Sequence, residues 1–154
     1  LTYKSLQLGH TPEIILSGRR LNNSMSSYVT KNLIELMIKK NITITKSNIL
    51  ILGLTFKENC NDLRNSKVFD IIYELKGIGA SIDVYDPLVN KKDLSDINLV
   101  TNLKIGFYDA IIIAVAHKDF KKFKNNKLRY HCKSNGLIFD LKHLLKIDES
   151  DFRL

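Results

Sequence analysis

The sequence predicts an α/β fold, a Rossmann-like three-layer domain with a mainly parallel sheet, preceded by a helical segment. Apolar runs with the length of buried strands recur along the chain, and the first is followed by a segment with the 3.6-residue apolar period of a helix. Strands that alternate with helices in this way form parallel sheets with right-handed crossovers. We therefore divide the chain into a helical segment, residues 1–45, and a sheet domain, residues 46–154.

The helical segment begins with a short helical pattern over residues 1–8, which Gly9 stops. Ser17-Gly18 predicts a bend or break in the next helix. Residues 22–40 then form a longer helix with one continuous apolar stripe. The stripe consists of Met25, Tyr28, Val29, Leu33, Leu36 and Met37. Taken alone, such a stripe is typical of an amphipathic helix that packs on its own domain.

The sheet domain contains core strands of two kinds, continuous apolar runs and one alternating segment. These strands are predicted over residues 49–54, 81–85, 110–116 and 136–140. A short apolar patch at residues 97–100 predicts a minor edge strand. The helix after the first strand has apolar residues at Val68, Ile71, Ile72 and Leu75. Residues 120–128 form a basic, weakly helical stretch.

The polar loop after the first strand carries the charges of a candidate site. Ligands of open α/β sheets bind outside the carboxyl ends of the strands, where Lys57 and Arg64 are expected to lie. The following helix, which Asn65 or Ser66 can cap, directs its free N–H groups and positive dipole end to the same place. The loop therefore predicts an anion site. The alternative is that Lys57 and Arg64 only pair with the carboxylates of their own loop.

Other polar residues have weaker claims to a function. Asp86 follows the second strand, where a Rossmann unit often holds a ribose, but the Gly-x-Gly-x-x-Gly run is missing, so we expect a strand-ending turn. His117 comes immediately after the strand over residues 110–116, at the ligand edge of the sheet, and a hydrogen-bonded structural role is favoured over proton transfer. Arg19 and Arg20 are expected to pair with carboxylates and are left out of the site.

The charge balance indicates an anionic partner. With 154 residues, 44% of them hydrophobic, the chain should fold, and its net charge of +8 and pI near 9.5 suit nucleic acid, a phospholipid membrane or a nucleotide. Many lysines occur in pairs without the interleaved aromatic residues of a nucleic-acid stacking platform. We therefore interpret most of them as solvated surface.

Cysteine usage indicates a reducing, cytoplasmic compartment. Cys60 and Cys132 fit neither a disulfide framework nor a metal site. No apolar run reaches the roughly 20 residues of a membrane span, and the first residues lack a signal-peptide pattern. Because the opening residues 1–6 have the pattern of the middle of a helix, we expect the chain to be a piece of a longer protein.

The run Gly-Leu-Thr-Phe-Lys-Glu-Asn-Cys-Asn-Asp-Leu-Arg-Asn-Ser, residues 53–66, closely resembles the signature of the C-terminal domain of the UDP-glucose/GDP-mannose dehydrogenase family. Within that family, the sequence of this run is most similar to the branch that oxidises UDP-N-acetylhexosamines. The resemblance continues through residues 84–87 and 139–142, and upstream through residues 1–4 and 18–22, so it covers essentially the whole chain.

The resemblance implies a reaction that the residues alone do not. Family members oxidise the sugar C6 alcohol to a carboxylate in two steps, with two NAD molecules and a cysteine nucleophile, for surface polysaccharide precursors. That cysteine lies in a Gly-Gly-x-Cys motif ahead of the point matching Leu1, and it is absent here, as is the N-terminal NAD domain. Cys60 does not match it. No catalytic residue is assigned, and the isolated chain is expected to be inactive.

What the resemblance assigns to this chain is recognition. Phe56 and Lys57 match residues that contact the UDP-sugar, and Arg64 matches an arginine that reaches towards NAD, with Asp62 as a buttress of the loop. Lys142 lies near the position at which glucose-specific relatives carry an arginine pair that contacts the nucleotide. Whether the sugar is gluco or galacto configured stays open.

The resemblance also implies that residues 22–40 link the two nucleotide-binding domains and form a homodimer. The alternative function is a free-standing basic α/β module that binds nucleic acid or a protein partner. The run of matching motifs favours a UDP-sugar ligand, with neither nucleic acid nor membrane as a partner.

Overall fold

One parallel sheet forms the centre of the protein. The computed structural model describes residues 2–124 and 126–154, with the backbone alone at position 93. Within those residues, six strands are arranged in the order β3-β2-β1-β4-β5-β6, and each neighbouring pair is parallel. The strands are β1 (Asn48–Leu52), β2 (Ser81–Tyr85), β3 (Asn98–Leu99), β4 (Tyr108–Ile113), β5 (Cys132–Asp140) and β6 (Phe152–Arg153). The prediction of a mainly parallel sheet is confirmed.

The described α-helices are α1 (Thr2–Gln7), α2 (Glu13–Lys39) and α3 (Val68–Gly77). Helix α2 runs without interruption through Ser17-Gly18, so the predicted bend or break at this point is wrong. A single glycine in a helix costs only about 1 kcal/mol relative to alanine, which a helix of 27 residues tolerates.

The two faces of β1 alternate between two hydrophobic cores. Ile49 and Ile51 face α2 and α3, whereas Leu50 and Leu52 face the opposite side, and all four are fully buried. On the first face, α2 contributes residues of the predicted stripe, Val29, Leu33 and Met37. This part of the stripe packs on the chain's own sheet; the domain boundary at residue 45 stays a prediction.

The opposite face is covered by two 3-10 helices, Lys118–Phe123 and Lys127–His131. Phe120 and Leu128 from these helices pack against Tyr108 of β4, and all three are buried. The weakly helical stretch predicted over residues 120–128 is confirmed as 3-10 helix for residues 120–123 and 127–128, with turn residues at 124 and 126 and position 125 outside the described residues. The three-layer architecture is therefore confirmed, with 3-10 helices in its third layer.

Strand β6 was not predicted. It pairs with β5, and the carboxylate of Asp151, just before the strand, adds hydrogen bonds to three other segments. Asp151 Oδ2 accepts hydrogen bonds from Arg129 Nη2 and from the Ile138 amide, both at 2.8 Å, and Oδ1 accepts one from Lys40 Nζ at 2.6 Å. Burial alone would raise the pKa of Asp151, but these hydrogen bonds outweigh it and the net pKa is lowered. The carboxylate therefore stays ionised and joins the ends of α2, β5 and β6.

The winding of the sheet reverses between β1 and β4. Strand β1 pairs with β2 on one side and with β4 on the other, so the loops after β1 and β4 diverge at their carboxyl ends. At their starts, the loop after β1 and the loop after β4 lie very close together. Gly53 has φ +88°, and a Cβ added there would lie 2.5 Å from the Cβ of Val115. Only glycine fits without displacement, and this contact sets the floor of the site.

Candidate functional site

A cleft of about 580 Å³ opens where the sheet reverses its winding. Its walls are the loop after β1, the start of α3 and the loops after β4 and β5, with Asn22 of α2 at one side. We call it the switch-point cleft. Its other lining residues are Thr55, Phe56, Lys57, Glu58, Asn65, Ser66, Lys67, Val68, Ala114, Val115, Ala116 and Lys142.

Three of the four predicted site residues meet in this cleft. Phe56 and Lys57 come from the loop after β1 and Lys142 from the loop after β5, which brings together residues 85 positions apart in sequence (142 − 57). Phe56 is 59% exposed although it is a large apolar ring. Within the described part of the chain, no carboxylate lies within 4.0 Å of the Lys57 ammonium. The exposed ring and the two predicted lysines therefore share one cleft, which Lys67 also lines.

Arg64, the fourth predicted residue, does not line this cleft. Its Nε and Nη2 donate to Asp62 Oδ1 and Oδ2 at 3.0 and 2.8 Å, and its side chain is 87% exposed. The Arg64 guanidinium lowers the pKa of Asp62 to about 2. The expectation that Asp62 buttresses the loop is confirmed, and pairing within the loop, the alternative weighed for both cations, holds for Arg64.

The start of α3 is tied to the same loop by Ser66. The Ser66 hydroxyl accepts from the Val68 amide and donates to the Thr55 carbonyl, each at 3.4 Å. Asn65 instead takes a left-handed conformation with φ 60°. Neither expected residue is the N-cap of α3: that position is Lys67, which makes no side-chain capping hydrogen bond, although the Ser66 hydroxyl accepts from the first helical amide. Lys67 and Val68, at the start of the helix, line the cleft.

Asp86 forms the turn expected after β2, but it also does more. Its Oδ1 accepts from the Leu88 amide at 2.9 Å, which closes the turn. Its Oδ2 accepts from the amides of Leu54 and Thr55 at 2.7 and 3.3 Å. The carboxylate is 5% exposed and fully engaged by the backbone, so it is not available to a ribose.

His117 is buried behind the cleft floor and is 1% exposed. Its Nδ1 accepts from the Asn59 amide at 2.9 Å, and its Nε2 lies 3.0 Å from Asp86 Oδ2. Both ring nitrogens therefore have partners inside the protein. The structural role expected for His117 is confirmed, whereas its bond to Asp86 was missed because 31 residues separate the two and no local pattern links them.

The expectation that Arg19 and Arg20 pair with carboxylates is wrong for the described residues. Arg20 Nη2 donates to the Ser17 hydroxyl at 2.8 Å, and no described carboxylate lies within 4.0 Å of either guanidinium. Arg19 instead lines a second cleft of about 650 Å³, beside the first, together with Asn22 and Phe56. Helix α2 thus supplies a wall that sequence reasoning left out.

The described residues include no helix whose length and apolarity would let it cross a membrane.

Comparison with known proteins places these features in a family. Residues 50–147 match the UDP-glucose/GDP-mannose dehydrogenase family, UDP binding domain. UDP-N-acetyl-D-glucosamine 6-dehydrogenases of Salmonella typhi and Pseudomonas aeruginosa are 44% and 45% identical to the chain over its full length. The chain spans 37% of the length of each of these relatives.

The solved structures agree with this. A UDP-D-ManNAc dehydrogenase from Pyrococcus horikoshii matches 88% of this chain, and 31% of its own, with a TM-score of 0.72 and 27% identity. The matched residues 50–147 include every lining residue of the switch-point cleft except Asn22. The chain belongs to the UDP-glucose/GDP-mannose dehydrogenase family, and residues 50–147 correspond to the UDP binding domain of that family.

Proposed function

We propose that the chain is the C-terminal, UDP-sugar-binding part of an NAD-dependent UDP-N-acetylhexosamine 6-dehydrogenase. The whole enzyme would oxidise the sugar C6 alcohol to a carboxylate, as a step towards surface polysaccharide precursors. One observation carries the proposal. Phe56, Lys57 and Lys142 line one cleft at the carboxyl edge of the sheet, inside the stretch that matches a UDP binding domain.

The chemistry of the cleft suits a nucleoside diphosphate. The diphosphate offers anionic oxygens to the ammonium groups of Lys57 and Lys142, and the start of α3, whose Lys67 and Val68 line the cleft, adds the positive end of the helix dipole. The exposed ring of Phe56 offers an apolar face to the base or sugar. Hydrogen bonds to charged groups contribute about 1.5–3 kcal/mol each, so either lysine should matter about tenfold to a hundredfold in affinity.

Oxidation needs groups that these residues do not supply. Asp86 is engaged by the backbone and no Gly-x-Gly-x-x-Gly run is present, so the described residues do not fit an NAD site of their own. Arg64 is proposed to contact an NAD molecule held by another part of the enzyme. A guanidinium has five N–H donors, and Asp62 uses two of those of Arg64. The isolated chain is proposed to bind substrate without oxidising it.

We also propose a homodimer of the full enzyme through residues 22–40. Val29, Leu33 and Met37 are buried in the chain's own core, so the contact would use the opposite face of α2. There Tyr28, whose predicted place in the stripe of Val29, Leu33 and Met37 is wrong, and Ile38 are 50% and 59% exposed, which supports the proposal. In sedimentation experiments a Tyr28→Glu variant of the full enzyme should contain a larger fraction of monomer than the wild-type full enzyme. A wild-type full enzyme that is monomeric at all concentrations would count against the dimer.

A cytoplasmic location is part of the same proposal. Cys60 and Cys132 are both free thiols, which suits a reducing compartment.

Calorimetric titration of the chain with UDP tests the binding proposal. We expect Lys57→Ala and Lys142→Ala to weaken UDP binding about tenfold or more, because each removes a cation from the cleft. Lys31→Ala is the matched control, since it removes the same charge from a lysine that is 77% exposed on α2 and does not line the cleft. Equal losses in all three variants would mean that only net charge matters.

The same preparation tests the alternative function. Steeply salt-dependent binding of single-stranded RNA that UDP does not displace would favour a nucleic-acid module and would contradict the proposal.

A further inference from the structure

We propose that the buried pair His117 and Asp86 positions the turn that presents Phe56 and Lys57 to the ligand. We call residues 54–59 the motif turn. The inference rests on the proposed function, because the motif turn is a wall of the proposed UDP-sugar site. It assigns a positioning role to two residues that lie outside the cleft lining.

The pair holds the motif turn at both ends. At the start, Asp86 Oδ2 accepts from the amides of Leu54 and Thr55 at 2.7 and 3.3 Å. At the end, His117 Nδ1 accepts from the amide of Asn59 at 2.9 Å. The three residues between these anchors, 56–58, all line the cleft. Asp86 directly follows β2, and His117 lies in the loop after β4, at the start of the 3-10 helix Lys118–Phe123, so two neighbouring loops of the sheet edge fix the turn.

The hydrogen bonds in this network have only one consistent direction. A backbone amide can only donate, so the Asn59 N–H requires the lone pair of His117 Nδ1. In the neutral ring the proton is then on Nε2, which donates to Asp86 Oδ2 at 3.0 Å. The Thr55 hydroxyl lies 3.2 Å from Nε2 and donates to the Lys57 carbonyl at 3.0 Å. The orientation of the Lys57 peptide thus depends on the His117 tautomer.

A return bond joins the same two loops. Asn59 Oδ1 accepts from the Lys118 amide at 2.9 Å, so Asn59 is bonded to the 117–118 segment twice. Asn59 has φ 56°, a left-handed conformation that asparagine adopts more readily than most residues. The His117–Asp86 part of the network is shielded from water, since these residues are 1% and 5% exposed and the ring of Phe120 packs edge-on at 5.2 Å, whereas Asn59 lies at the exposed end.

Preorganisation is what such a network contributes to binding. A turn that had to order itself around a ligand would lose backbone entropy at that moment, which weakens affinity. A turn held at both ends by buried hydrogen bonds has lost that entropy on folding. The expected consequence is that breaking the network weakens UDP binding although no residue of the cleft lining is changed.

The wild-type chain gives the first test. NMR of the His117 ring should show the Nε2–H tautomer, with Nδ1 as the hydrogen-bond acceptor. The opposite tautomer, or a ring that is doubly protonated in the folded protein at neutral pH, would overturn the proposal without any variant.

His117→Phe gives the second test, because it keeps an aromatic ring against Phe120 and removes both polar atoms. We expect the amides of Leu54 and Asn59 to exchange hydrogen at least tenfold faster, and UDP to bind about tenfold more weakly. His117→Asn, which restores an acceptor near the position of Nδ1, should recover part of both losses. Unchanged amide exchange and unchanged UDP affinity in His117→Phe would overturn the proposal.

A matched core variant separates positioning from stability. Leu128→Ala removes a side chain that is 1% exposed in the same hydrophobic core and forms none of these hydrogen bonds. It should lower the urea midpoint yet leave the UDP affinity of the folded chain within about twofold. An equal loss of affinity in Leu128→Ala would assign the effect to stability and overturn the proposal. A wild-type chain that does not bind UDP at all overturns the proposed function, whereas tautomer and exchange data still decide the network itself.

Discussion

Gly53→Ala is the substitution that tests most sharply how the fold builds the floor of the cleft. Gly53 has φ +88°, and an added Cβ would meet the Cβ of Val115 at 2.5 Å and its Cα and N at 3.0 Å. The left-handed conformation costs an alanine about 1–2 kcal/mol. Overpacking against a strand end that cannot move away typically adds about 1–3 kcal/mol. We therefore expect a loss of about 2–5 kcal/mol, a large part of the 5–15 kcal/mol of an ordinary domain.

Two other glycines separate these contributions. Gly106 has φ +61° and nothing within 4 Å of the added Cβ, so Gly106→Ala should show the backbone cost alone, about 1–2 kcal/mol. Gly18 lies in the interior of α2 with open space around it, so Gly18→Ala should stabilise the protein by up to about 1 kcal/mol. Urea unfolding followed by circular dichroism gives all three values. A Gly53→Ala loss no larger than that of Gly106→Ala would refute the close approach of the two loops.

Three further predictions concern titrating groups. Because the pKa of Asp151 is lowered in the folded state, its ionised carboxylate stabilises the fold above its ordinary pKa of 3.8, and this stabilisation is lost as the pH falls through the lowered value. Urea unfolding between pH 2 and pH 6 should therefore show a steeper loss of unfolding free energy for the wild type than for Asp151→Asn. In Arg64→Ala, the pKa of Asp62 should rise from about 2 towards 3.8 in an NMR titration. At pH 8 iodoacetamide should modify the partly exposed Cys60 before Cys132, whose burial raises its pKa to about 11, and peptide mass mapping would show the order.

The core of the fold was predictable because its strands carry the signal themselves. Strands β1 and β4 contain continuous apolar runs, residues 49–52 and 110–113, because both of their faces are covered. Strand β6 has two residues, and the partners of the adjoining Asp151 lie up to 111 positions away, so no local pattern predicts it. The break predicted at Ser17-Gly18 is wrong because the low helix propensity of two residues is outweighed by the rest of a long continuous helix.

The candidate site was predictable to the extent that one loop encodes it. Lys57 could be placed at the carboxyl edge of the sheet because it follows an apolar strand, whereas Phe56 and Lys142 were assigned from the family resemblance; all three line the cleft. Arg19 and the bond between His117 and Asp86 could not be predicted, because the fold alone brings them to the loop after β1. Local patterns predict which loop faces a ligand, whereas the residues that hydrogen-bond to that loop and hold it come from distant parts of the sequence.

Binding of UDP to the switch-point cleft is the central claim, and amide chemical-shift mapping of the 15N-labelled chain during a UDP titration tests it most directly. The account predicts saturable shifts concentrated at the amides of Phe56, Lys57 and Lys142, with Lys31 unaffected. Saturable shifts confined to other surfaces, such as the basic 3-10 helix Lys118–Phe123, or no shifts at millimolar UDP, would contradict it.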